Sequence, residues 1–300
     1  MPPCASTAPA RKADEAASLP DSSERPGLSL QGEGRTPGAR QLWSIPLALT
    51  VVGLFLFPWL AHEGPAVWGA GICHRMVERS FVIAGRQLPL CARCTGLYLG
   101  FLTTVVFSFL RGRGRPARLP PAAILVVLAL FFLPVGVDGL NSYVSLFPFP
   151  HLYEPHNTLR VLTGSLEGIA LASIFLPMFH MTLWEQAEEV RSIPNWRELG
   201  LLLLATAGVD LLVLWHPRGS FYPLTFLSIA GLLLALGTLN TLLVGLIARR
   251  IGRATCWSEV ASLFFWGCFL ALLEMAGMAW LRYSFTGSFS ISLEQLGIGI

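Results

Sequence analysis

Cys91-Ala-Arg-Cys-Thr-Gly-Leu-Tyr-Leu-Gly-Phe-Leu-Thr-Thr-Val-Val-Phe-Ser-Phe-Leu110 opens on two cysteines and an arginine and closes as an apolar run with no charge after Arg93. A surface helix of a soluble protein keeps a polar face opposite its apolar stripe. This run has none. Its length is close to the roughly 20 residues a helix needs to cross the hydrocarbon core of a bilayer.

Working outward, the same kind of run recurs on both sides. The spacing predicts seven spans. They run roughly over Leu42–Ala61, Cys94–Leu110, Pro121–Leu140, Leu159–Trp184, Leu199–Trp215, Tyr222–Ala248 and Glu259–Tyr283. Pro134 is expected to kink the third span near its end, because proline removes a backbone donor and crowds the preceding turn. Composition agrees: 53% of the 300 residues are hydrophobic and 13% are charged, where a soluble domain carries about 25% charged residues. The expected fold is all-α, a polytopic transmembrane helix bundle of about seven spans in a bacterial cytoplasmic (inner) membrane. The lipid bilayer is its partner.

Other classes are excluded. A net charge of +3, with no basic tract interleaved with aromatics, argues against nucleic acid. Six cysteines in 300 residues do not make a disulfide scaffold. No nucleotide-binding motif is present, so nucleotide-driven transport by this chain alone is not expected. Residues 1–40 are rich in Pro, Ala, Ser, Gly and Arg without apolar period. Such a segment buries too little to offset its ordering entropy, and it reads as a disordered cytoplasmic tail without the apolar core of a cleaved signal.

Orientation follows arginine in short loops. The loops after spans two, four and six carry Arg111, Arg113, Arg115 and Arg118, then Arg191 and Arg197, then Arg249, Arg250 and Arg253. Alternate loops share a side, so that side is cytoplasmic and so is the N-terminus. The loop after span one conflicts, since it holds Arg75, Arg79, Arg86 and Arg93 on the opposite side.

That opposite side also collects the unusual polar groups. Cys73 and His74 precede Cys91 and Cys94 by a gap of sixteen residues, 75–90. Three thiolates and an imidazole form a tetrahedral zinc set. Adjacent Cys73 and His74 rarely both reach one ion, so His151, His156 or His216 is an alternative fourth ligand. Cys91 and Cys94 also read as a redox pair near a helix N-terminus, where a thiolate is stabilised, or as plain structural thiols. A c-type haem site is excluded because Thr95 follows Cys94.

Within the spans lie Asp138, Arg160, Glu167, Asp210 and Glu274. Intramembrane charges are costly and face partners or wet cavities. Arg160 and Glu167 share a helical face but lie about 10 Å apart along it. A bridging group such as Asp138 or Asp210 would then be needed between them, and Arg160 is expected to have an acidic partner among Asp138, Glu167 and Asp210, either locking the bundle or lining a cavity. Gly96–Gly100 and Gly164–Gly168 carry the small-residue spacing that brings two helices close, and helix packing is the expected use.

The chain resembles the DUF2085 family of uncharacterised bacterial membrane proteins. The resemblance rests on Cys73-His74, Glu78-Arg79-Ser80-Phe81, Gly85, Leu88-Pro89-Leu90-Cys91, Cys94-Thr95-Gly96, Tyr98 and Gly100. A second block is Asp138-Gly139, Asn157, Arg160, Thr163-Gly164 and Gly168. It covers about residues 70–170. It implies a membrane protein with a Cys-rich outer motif and nothing about substrate. The expected organisation is a tail (1–40), a membrane domain carrying the Cys/His loop (41–170) and further transmembrane helices (171–300). The expected function is non-enzymatic binding of zinc or another transition metal by the loop. The alternatives are a membrane thiol-disulfide oxidoreductase using Cys91 and Cys94, and an ion or small-solute transporter using the intramembrane charges.

Overall fold

The computed structural model describes residues 44–61, 64 and 67–290. The expected tail at 1–40 lies outside them. The helices are α1 (Ser44–Leu60), the single turn α2 (Val67–Ala70), α3 (Ala92–Leu110), α4 (Ala122–Leu130), α5 (Phe132–Val144), α6 (Asn157–Leu183), α7 (Trp196–Trp215), α8 (Phe221–Ile247) and α9 (Trp257–Thr286). Six helical stretches are long and apolar enough to cross a membrane, with α4 and α5 forming one of them. The 17-residue α1 is apolar and shorter, at the lower end of the length a span requires. The chain is an all-α polytopic bundle.

The third span differs from expectation in where it breaks. Its helix continues to Val144, so the interruption at Phe131 falls near its middle. Pro134 is the cause: its ring clashes with the carbonyl four residues earlier, at Leu130, the last residue of α4.

The bundle is built on α3 and α6, and glycine is the reason these two touch. A β-carbon on Gly96 would stand 2.2 Å from the carbonyl oxygen of Val161, and one on Gly100 would stand 2.5 Å from that of Ser165. In return, Gly164 meets the Arg93 carbonyl at 2.2 Å and Gly168 the Leu97 carbonyl at 2.1 Å. Both small-residue motifs are therefore spent on one interface, each lying in the other's backbone. Gly231 of α8 closes on the Tyr98 carbonyl in the same way, at 2.2 Å. The apolar centre between these helices contains Tyr98, Phe101, Ala172, Leu232 and Met275.

One end of the bundle gathers the arginine-rich loops. Glu198 opens α7, where the Asn195 side chain caps the helix by accepting the Glu198 N–H at 3.0 Å. Its carboxylate pairs with Arg111, and with Arg113 at 2.6 Å. Arg115 pairs with Glu188 and lies over the Trp184 ring. Short backbone bridges join Arg118 to Arg191 and Trp184 to Ala254. The opposite end carries the Cys/His loop. There a two-residue hairpin, β1 (Val82–Ile83) with β2 (Arg86–Gln87), turns through Ala84 and Gly85, both at positive φ. That turn suits the twist of a tight hairpin. The sequence reading had taken this segment as plain loop.

Candidate metal centre

The loop between α1 and α3 is pinned before it presents its thiols. Gly71 lies so close to α9 that a β-carbon would stand 2.3 Å from the Met275 carbonyl oxygen. The Cys73 N–H donates to the Gly69 carbonyl at 2.7 Å. Arg75 then takes a left-handed backbone conformation, φ 51°, and turns the chain. Eighteen residues after Cys73, Cys91 caps the N-terminus of α3 in an extended conformation, and Cys94 lies in the first turn.

These constraints bring the ligands together. The ligand atoms of Cys73, His74 and Cys91 all lie within 4.8 Å of one another. The Cys94 thiol is in hydrogen-bonding contact with those of Cys73 and Cys91. A tetrahedral zinc holds its sulfurs about 3.8 Å apart, so the set is gathered close to that spacing. Cys73 and Cys91 are buried and His74 is exposed. Cys73, His74 and Cys91 converge, Cys94 lies three residues further on in the first turn of α3, and the three thiols are free rather than bridged.

The surroundings favour thiolate at Cys73. Hydrogen bonds from the Cys91 and Cys94 thiols, set against burial and helped by the backbone at Arg75 and Cys91, hold the Cys73 thiol down to about 3. The Cys91 N–H donates to the Cys73 sulfur at 3.2 Å. His74 accepts the Met76 N–H at Nδ1, at 3.1 Å. A neutral ring that accepts at Nδ1 carries its proton on Nε2, so a metal would take the Nδ1 lone pair in place of the Met76 N–H.

Arg282, near the end of α9, donates to the carbonyl oxygens of Ala70 (3.2 Å), Cys73 (2.7 Å) and His74. It grips the ligand-bearing turn through its backbone. Sequence reasoning missed it, because an arginine at the end of an apolar helix reads as a side chain reaching for the membrane surface. The four arginines that conflicted with the charge rule also have fixed uses. Arg75 donates to the Phe289 carbonyl, Arg79 to the Ser142 carbonyl at 2.8 Å, and Arg86 to the Tyr222 hydroxyl. Arg93 forms an ion pair with buried Asp138.

That last pair changes the expected use of Arg160. Arg160 is buried, and it donates to Asn157 Oδ1 at 2.9 Å and Ser142 Oγ at 3.3 Å. Among the described residues it makes no ion pair, because Arg93 has taken Asp138. The Tyr153 hydroxyl donates to the other Asp138 oxygen at 3.0 Å. Asp210 accepts from Ser165 Oγ at 2.6 Å, and Glu274 accepts from Asn240 at 2.9 Å. Glu167 is half-buried. Asp138, Arg160, Asp210 and Glu274 thus have separate partners. The outer histidines do not join the thiols: His151 faces Glu154, His156 precedes α6, and His216 lies against Phe81.

Comparison with known proteins places this site inside a family match. The model of a family described as "Predicted membrane protein (DUF2085)" matches residues 73–174. An uncharacterized protein of Methanothermobacter thermautotrophicus is 36% identical over 112 residues, covering 91% of that protein and 37% of this chain. An uncharacterized protein of Methanocaldococcus jannaschii is 28% identical over 156 residues, covering 93% of it and 47% of this chain. Both relatives are archaeal, so the resemblance is not confined to bacteria. No solved structure matches.

Proposed function

We propose, for a chain that belongs to the DUF2085 family of predicted membrane proteins, that the Cys/His loop holds one transition-metal ion of the zinc class between Cys73, His74, Cys91 and Cys94. The convergence of the Cys73 and Cys91 thiols with the His74 imidazole, with Cys94 in the first turn of α3 beside them in sequence, carries this reading. A disulfide would use two of the four groups and leave an imidazole and a thiolate gathered for no purpose. A metal ion uses all four, and softer thiolate sets select zinc-class ions over magnesium or calcium. Arg282, holding the carbonyls of Cys73 and His74, would serve as the outer shell that orients such ligands.

With four protein ligands the site is closed, the form that structural zinc takes. Its role is to tie the loop between α1 and α3 to the helix pair α3 and α6. The arginine-rich end is taken to face the cytoplasm, with the metal loop on the far side of a cytoplasmic membrane. Residues 171–300 are taken as a helical addition whose last helix supplies the Arg282 clamp. The transport reading has less support, since Asp138, Arg160, Asp210 and Glu274 have separate partners.

The test is elemental analysis of the purified full chain beside a count of titratable thiols. One equivalent of zinc-class metal, lost in Cys91→Ser, supports the reading. A metal-free protein in which Cys91 and Cys94 cycle between dithiol and disulfide would favour the thiol-redox alternative.

A further inference from the structure

Beside the thiols, three guanidinium groups converge on α5. Arg93 pairs with Asp138. One turn further along α5, Ser142 receives Arg79 at its carbonyl oxygen and Arg160 at its hydroxyl. Asp138 is therefore the one carboxylate in ion-pair contact with this trio among the described residues, and it is already engaged by Arg93 and the Tyr153 hydroxyl.

The donors exceed the acceptors. A guanidinium has five N–H donors. Arg160, 6% exposed, directs two hydrogen bonds to neutral oxygens. Arg79 directs one to a carbonyl. The Arg93 Nε is buried without a hydrogen-bond partner. Burial, followed by the charge of Arg93, depresses the proton affinity of Arg79. The N-terminus of the 27-residue α6 opens at the same place, and its preceding residue, His156, makes no side-chain cap. Helix N-termini present unpaired N–H groups and a positive dipole end. Planar guanidinium forks match tetrahedral oxyanions.

We propose that Arg79, Arg93 and Arg160, at the N-terminus of α6, form a binding site for a phosphate-class oxyanion. The site lies at the end of a span, where both a free phosphate and a lipid phosphate are within reach. It is separate from the metal reading, and the protein can carry either ligand without the other.

The experiment uses the purified full chain in neutral detergent with two probes, inorganic phosphate and short-chain phosphatidylglycerol, and measures zinc in the same samples. Saturable binding of one probe is expected. Arg79→Gln and Arg160→Gln should each weaken it about tenfold or more, the loss of a charge-assisted hydrogen bond, with zinc content unchanged. Binding of inorganic phosphate identifies a free anion as occupant, and retention of phosphatidylglycerol alone identifies a lipid headgroup. If neither probe binds, or both variants bind as the parent does, the proposal fails. If zinc is lost with the anion, the arginines serve the thiolates and the separate site is overturned. Should Arg160→Gln not fold, Arg79→Gln decides by the same criteria.

Discussion

The backbone N–H of Cys91 donates to the sulfur of Cys73 at 3.2 Å, across eighteen positions of sequence. This one contact closes the loop between α1 and α3 and aims a donor at a sulfur whose neighbours lower its affinity for a proton. The Cys/His site is thus supported by the backbone as well as by its side chains.

Metal removal should expose the loop thiols. In the intact protein, Cys73 and Cys91 are buried and all three loop thiols would be metal-bound. Chelation is expected to raise the count of sulfurs reacting with a small thiol reagent by three per chain. A count unchanged by chelator would mean the thiols are protected by packing alone.

Arg282→Ala should loosen the metal without removing a ligand. Loss of an outer-shell partner costs about 10–100-fold in metal affinity. Competition against a chromogenic chelator measures this. Unaltered affinity would mean that Gly71 against α9 is enough to hold the turn.

The α3–α6 interface should tolerate no side chain. Gly164→Val places a branched side chain where even a β-carbon lies 2.2 Å from the Arg93 carbonyl. Overpacking of this kind destabilises by about 1–3 kcal/mol or more, and thermal unfolding in detergent reads it. Gly208→Ala, with open space around it, should be near neutral or slightly stabilising, since alanine is the better helix former. Equal effects would refute the packing account.

Topology is open to labelling. A cysteine at Gly219, between α7 and α8, should react with an impermeant maleimide from outside intact cells, above the parent's own labelling. A cysteine at Leu119, between α3 and α4, should not. The reverse pattern would invert the assigned orientation.

Much of this was legible in the sequence because apolar length is a one-dimensional signal. The runs around Phe101, Leu202 and Leu232 announce helices by composition alone. The cluster of Cys73, His74 and Cys91 was legible for a related reason, since cysteine and histidine are rare enough for their spacing to stand out. What could not be read was pairing across the bundle. Asp138 and Arg160 share the correct end of the molecule, yet Arg93, counted as a loop charge, reaches Asp138 first. Arg282 lies more than two hundred residues from the carbonyls it grips, and no local pattern marks it. The hairpin at Val82–Gln87 was hidden because Ala84, one of its two turn residues, rarely adopts positive φ.

The central claim is that Cys73, His74, Cys91 and Cys94 form one metal site, and the measurement that tests it most directly is metal stoichiometry across single substitutions. The account predicts about one zinc-class ion per chain in the parent and well below half an equivalent in Cys73→Ser, Cys91→Ser and Cys94→Ser, with Cys268→Ser unchanged. A parent protein free of metal, or one whose metal survives all three loop substitutions, would contradict it.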